Sequence, residues 1–98
     1  MLGNQSICLA LQIVPRKEGA NTYHLVDKAI EVIQSSGVKH MITPMETVME
    51  GPFDQLNEIA LKAQQAVMEA GAEEVLVYIK MHYRKSGDVT FEEKRLDR

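Results

Sequence analysis

The sequence predicts an α+β fold of the ferredoxin-like kind, β-α-β-β-α-β, with a four-stranded antiparallel sheet and two helices on one face. Three observations predict it. Segments 6–14 and 74–83 alternate apolar residues with a period of two, as strands do. Stretches beginning near Thr22 and Phe53 repeat apolar residues at three and four, as amphipathic helices do. Between them, residues 38–50 read as two short strands broken at Pro44 and Met45. A chain of 98 residues is the length of one domain, so a single unit over 1–98 is expected.

The first strand puts Ile7, Leu9, Leu11 and Ile13 on one face and Ser6, Cys8, Ala10 and Gln12 on the other. Pro15 is expected to end it, because proline donates nothing to a ladder. Residues 16–21 read as a loop, and Thr22 is a candidate cap for the first helix. Val26, Ala29, Ile30 and Ile33 form that helix's apolar stripe, widened by Leu25 and Val32, and Gly37 stands where a helix C′ glycine belongs. The second strand is expected over 38–43 and the third over 46–50, with Pro44-Met45 as the turn; that pair is not a preferred two-residue turn. Gly51-Pro52 breaks the strand and opens the second helix, where Asp54 suits the positive end of the dipole. Phe53, Leu56, Ile59, Ala60, Ala63, Val67 and Ala70 make its stripe, and Gly71 closes it. The fourth strand sets Val75, Val77, Ile79 and Met81 against Leu76, Tyr78, Lys80 and His82. The polar tail from Arg84 reads as a short helix or a frayed end.

Right-handed crossovers place both helices on one face of the sheet. The other face would carry Cys8, Ala10, Leu76 and Tyr78, more apolar surface than water tolerates over a wide area. A second subunit or a ligand is expected to cover it.

Composition excludes several classes. Apolar residues make up 45 % and charged residues 26 %, which is globular rather than disordered. The net charge of −3, with basic residues scattered, argues against nucleic acid. No apolar run approaches the roughly 18 residues of a membrane span, and no secretory leader is recognisable, so a cytoplasmic protein without membrane contact is expected. Cys8, the single cysteine, has no partner for an internal disulfide and reads as a buried small hydrophobe.

Catalytic signatures are sparse. The glycines are isolated rather than gathered into a phosphate loop, and no serine has a nucleophile-elbow context. His24, His40 and His82 fall on three elements without metal-ligand spacing, so no metal is expected. Glu46 and Glu50 lie on one face of one strand; they read either as an acid/base pair or, more ordinarily, as a solvated strand edge. The densest mixture of polar and apolar residues is 43–50. There Glu50, beside the bare backbone of Gly51, can hold an amino-bearing ligand. Thr43 and Thr47 offer hydroxyls, and Met45 and Met49 offer soft walls for a flat ring. The competing reading makes both methionines core filler and the threonines ordinary strand residues.

The ordered set Gln12-Ile13-Val14-Pro15, Val26-Asp27-Lys28-Ala29-Ile30, Ser36-Gly37-Val38, Pro44 through Gly51 and Gly71-Ala72 resembles the small thiamine-binding protein family over roughly residues 6 to 95. The stretch Thr47-Val48-Met49-Glu50-Gly51 and the opening Gln-Ile-Val-Pro are its most specific parts. The resemblance implies a ferredoxin-like fold assembled as a homodimer or homotetramer through the sheet. It implies binding of thiamine or its hydroxymethylpyrimidine part as a ligand, with no reaction, no catalytic residue and no cofactor. Glu50 and Thr47 stand in the matching motif and are carried over as ligand-binding residues; Thr43, Met45, Tyr83 and Asn21 follow, with Met49 as a wall. On this reading Glu50 pairs with the aminopyrimidine edge, and Glu50→Ala weakens binding at least tenfold. An oligomeric protein-interaction module with no small-molecule ligand is the alternative.

Overall fold

The computed structural model describes residues 4–19 and 21–95. Its elements are β1 (Ser6–Arg16), α1 (Tyr23–Ser35), β2 (Lys39–Ile42), β3 (Thr47–Pro52), α2 (Phe53–Glu69), β4 (Glu74–His82) and a 3₁₀ turn at Glu92–Lys94. The sheet order is β2-β3-β1-β4, every neighbouring pair antiparallel, so the ferredoxin-like fold expected from the sequence is the fold observed.

Register decides which side chains share a face. Leu9 lies opposite Met49 and Met81, and Leu11 opposite Thr47 and Ile79; these residues face the helices. Cys8 lies opposite Glu50 and His82, and Gln12 opposite Tyr78; these form the open face. The core sits between the first set and the helix stripes, with Ile7, Leu9, Leu25, Ile33, Met49, Leu56 and Val67 fully buried. Each such side chain contributes about 1.5–3 kcal/mol by leaving water.

Four local expectations are revised. Pro15 does not end β1: the strand runs to Arg16, with Pro15 opposite Val75. β3 reaches only as far as Leu11, so near Pro15 β1 has a neighbour on one side alone and the missing N–H costs no ladder bond there. Thr22 does occupy the cap position of α1, but its side chain makes no cap bond; the Asn21 Oδ1 takes the Tyr23 N–H at 2.9 Å instead. β2 is shorter than expected and β3 starts at Thr47, because the turn spans 43–46 rather than two residues. Thr43 closes it: its N–H donates to the Glu46 carbonyl at 3.0 Å and its hydroxyl to the same oxygen at 2.6 Å, while the hydroxyl accepts from the N–H groups of Met45 and Glu46. β3 also continues through Gly51 to Pro52, which caps α2 in an extended conformation.

The largest revision concerns the tail. Residues 84–95 form an ordered strap across one end of the open face. The Val89 N–H donates to the Ser6 carbonyl at 3.0 Å, the Ser6 N–H donates to the Asp88 carboxylate at 3.0 Å, and Val89 is fully buried. The Arg84 guanidinium grips the Glu93 carboxylate at 3.1 and 2.7 Å, a two-point bond. The Phe91 N–H donates to Glu50 Oε1 at 2.6 Å. A polar sequence thus becomes ordered because its charges pair with one another and its one valine fills a gap in the sheet surface.

Candidate functional site

The α1 N-terminus, the middle of β1 and the 43–46 turn enclose a cleft of about 310 Å³. Its floor is apolar: Leu11 and Ile13 from β1, Val26, Ile30 and Ile33 from α1, and Ile42 at the end of β2. Tyr23 stands at the mouth, 78 % exposed. The polar groups are few: Asp27, Thr43, Glu46 and Thr47, since the Gln12 side chain belongs to the open face opposite Tyr78. An apolar floor with a handful of convergent polar groups suits a small organic ligand.

Thr47 is the most informative of these. It is the one polar residue buried among the described residues; its hydroxyl makes no hydrogen bond to them, and since no buried side-chain nitrogen or oxygen among them is left unpaired, that oxygen is open to the cleft. It faces the cleft because the pleat of β3 puts it on the helix side, opposite Leu11. A hydroxyl open to the cleft can donate to or accept from a ligand that enters it. Glu46 lies at the rim and reaches across to Lys80, 3.2 Å away. Asp27, on the exposed side of the mouth, carries no ion pair among the described residues.

The structure brings together only some of the residues singled out in the sequence. Thr43, Met45 and Thr47 line the cleft. Asn21 stands just before α1, its Oδ1 spent on the Tyr23 N–H and its carbonyl accepting from His24 Nδ1 at 2.6 Å. Met49 lines no cleft: it has no exposed surface and lies in the core, so its role is that of filler. Glu50 lies on the opposite face of the sheet from Thr47, with Oε1 on the Phe91 N–H and Oε2 3.4 Å from Lys39 Nζ. Tyr83 lies past the end of β4, edge-on to Phe53 at 5.5 Å between ring centres, outside the cleft. Gly51 is bare for packing rather than for a ligand. A Cβ there would stand 3.2 Å from Val38 Cγ2 and 3.3 Å from Leu56 Cδ2.

The ligand contacts expected from the sequence include neither Tyr23 nor Asp27, which line this cleft. Their signal was present: 23, 26, 27 and 30 recur at three and four and share one face of α1. Among the described residues no cluster of His, Cys, Asp and Glu has the shape of a metal site, and no helix is long and apolar enough to cross a membrane.

A family model described as "Thiamine-binding protein" matches residues 9–97. The chain belongs to the thiamine-binding protein family. The label describes a binding family rather than an enzyme family. Several known proteins are similar to this chain. A UPF0045 protein of Clostridium perfringens is 48 % identical over 86 residues, covering 88 % of this chain and 90 % of its own. A domain of unknown function from Bacillus cereus has a solved structure with a TM-score of 0.89 at 45 % identity, covering 96 % of this chain and 90 % of that one. A Thermotoga maritima protein, whose description proposes a role in thiamine biosynthesis or salvage, superposes with a TM-score of 0.81 at 26 % identity, over 91 % of this chain and 94 % of that one.

Proposed function

We propose that this chain binds thiamine or its hydroxymethylpyrimidine part as a carrier or sensor, without transforming it. The observation that carries the reading is the Thr47 hydroxyl, without a protein partner and open to an apolar cleft, within a chain of the thiamine-binding family. The description of the Thermotoga maritima neighbour supports the same ligand class. In this reading the flat pyrimidine lies on the floor of Ile13, Val26 and Ile30, and Tyr23 closes over it. The Thr47 hydroxyl meets a ring nitrogen. Asp27 pairs with the exocyclic amine or the thiazolium cation. Thr43 shapes the turn, and Met45, 71 % exposed, folds over the rim. Glu46 and Glu50 lack the arrangement of an acid/base pair: one is tied to Lys80 and the other to the strap.

Titration calorimetry with thiamine and with hydroxymethylpyrimidine tests the reading. Saturable binding at about one site per chain is expected. Thr47→Val removes one hydrogen bond and weakens binding about fivefold; Asp27→Asn removes a charge-assisted pair and weakens it about tenfold. Glu50→Gln leaves it unchanged. Flat traces with both ligands overturn the proposal, and loss of binding in Glu50→Gln moves the ligand to the other face.

A specific observation also favours self-association. Leu76 and Tyr78 of β4 stand exposed on the open face, and β4 presents its outer edge unpaired among the described residues. A second copy covering this surface makes the homodimer or homotetramer implied by the resemblance. Sedimentation at micromolar concentration is expected to give a mass above the 11.0 kDa of one chain; a monomer removes the proposal.

A further inference from the structure

The strap builds a second cleft, on the opposite face of the sheet from Thr47. It has a volume of about 410 Å³, with Met41 and Val48 of the sheet as its floor and Phe91 of the strap as one wall. Lys39, Lys94 and Arg95 stand around it, with Glu92 the one acidic residue in its lining. None of these residues belongs to the first cleft.

The charges do not all cancel. Lys39 Nζ is 3.4 Å from Glu50 Oε2 and 5.5 Å from the Phe91 ring centre, so it is paired and also caps the aromatic face. Arg95 Nη1 lies 2.7 Å from Glu92 Oε1. Lys94 differs: its ammonium donates to His82 Nδ1, a neutral acceptor, and among the described residues no ion pair joins it to a carboxylate. With two pairs neutralised, one positive charge remains at the edge of an apolar floor. This happens in a chain whose net charge is −3, so the cleft is a local reversal of sign. A charge with protein on one side is screened less than one in open water and attracts a counter-charge more strongly.

We infer that this cleft is a second binding site, for a small molecule with a flat apolar body and one anionic group, a carboxylate or a phosphate monoester. The body lies between the Phe91 ring and the Met41 thioether, and the anion reaches Lys94. The site exists only while the strap is in place. The Phe91 N–H bond to Glu50 and the Arg84–Glu93 pair hold its wall.

The test uses 8-anilinonaphthalene-1-sulfonate, a flat aromatic monoanion whose fluorescence rises in apolar surroundings, titrated into the intact chain. Expected is one saturable site whose affinity falls at least fivefold in Lys94→Gln and at least fivefold in Arg84→Ala, which frees the strap. Lys62→Gln, an exposed lysine on α2, leaves it unchanged. Phenyl phosphate or benzoate displaces the dye, and whichever acts at lower concentration identifies the anionic group. Three outcomes overturn the inference: affinity unchanged in Lys94→Gln, affinity lowered equally by Lys62→Gln, or displacement by benzyl alcohol as effective as by the two anions.

Discussion

The two faces of the sheet come from the same strands yet are covered by different means. On one, the side chains are mostly large and apolar, with Thr47 the polar exception, and two helices cover them with a continuous core. On the other, Cys8, Ala10, Gln12 and Glu50 mix small, polar and charged groups, and the partial cover is a strap held by ion pairs and backbone hydrogen bonds. The first kind of cover rests on transfer of apolar area from water, which is non-directional and large. The second rests on a few directional contacts at an exposed surface, each of which is small. Burial should therefore be hard to undo on one face and easy on the other.

The sharpest way to break that contrast is a pair of substitutions three residues apart on β1. Leu9 has no exposed surface and faces the helices, so Leu9→Ala leaves a cavity and should cost about 3 kcal/mol in urea unfolding. Gln12 faces the open side, and Gln12→Ala should stay within about 0.5 kcal/mol of the parent. Equal losses would mean that the open face is buried as firmly as the core, as it would be inside a tight oligomer.

A smaller effect isolates the strap. Cys8 is buried beneath it, with Sγ 3.8 Å from the Val89 carbonyl. Burial pushes the thiol above its ordinary range, with the Lys94 charge pulling weakly the other way. Arg84→Ala removes the grip on Glu93 and should raise the alkylation rate of Cys8 by about tenfold, corresponding to about 1.4 kcal/mol in the opening equilibrium. Its effect on global unfolding should be far below that of Leu9→Ala. An unchanged alkylation rate would show that Val89, rather than the ion pair, holds the strap down.

These two regions also differ in how much of them a reader of the sequence can see. The alternation in β1 and β4 and the stripes of α1 and α2 are local and periodic, so the helix-covered face and the fold were legible. Local rules gave the shorter-range errors. Pro15 reads as a stop in the sequence because its one-sided pairing depends on where β3 ends, a fact about another segment. The candidate site was half legible. The 43–47 stretch does contribute Thr43, Met45 and Thr47 to the cleft, but adjacent strand residues point to opposite faces. One short motif therefore could not place Thr47 and Glu50 in one pocket, because they are three positions apart on a strand. The strap was legible only as a short helix, the 3₁₀ turn at Glu92–Lys94, and not in its path. It depends on Arg84 meeting Glu93 and on Phe91 meeting Glu50, pairings that have no periodicity to announce them.

The most delicate test of the contrast is pH. Glu93 is held down to about 2, first by its hydrogen bonds from Arg84 and then by the Thr90 N–H. Its ordinary value is 4.5, so the unfolded or released strap binds the proton first as the solution is acidified. A depressed carboxylate adds stability that is complete above about 4.5 and is lost as pH falls from there towards about 2. The helix-covered core has no such dependence in that window, since the side chains that fill it are apolar. Carboxyl ¹³C shifts should therefore give Glu93 a midpoint near 2 in the parent chain, rising towards 4.5 in Arg84→Ala. The amide signals of the strap should shift over the same interval, while those of Leu9 and Leu56 stay fixed. A parent midpoint near 4.5 would mean that the Arg84–Glu93 grip does not persist in solution. Cys8 would then owe its cover to Val89 alone, and the cleft beside Lys94 would lose the clamp that sets its wall.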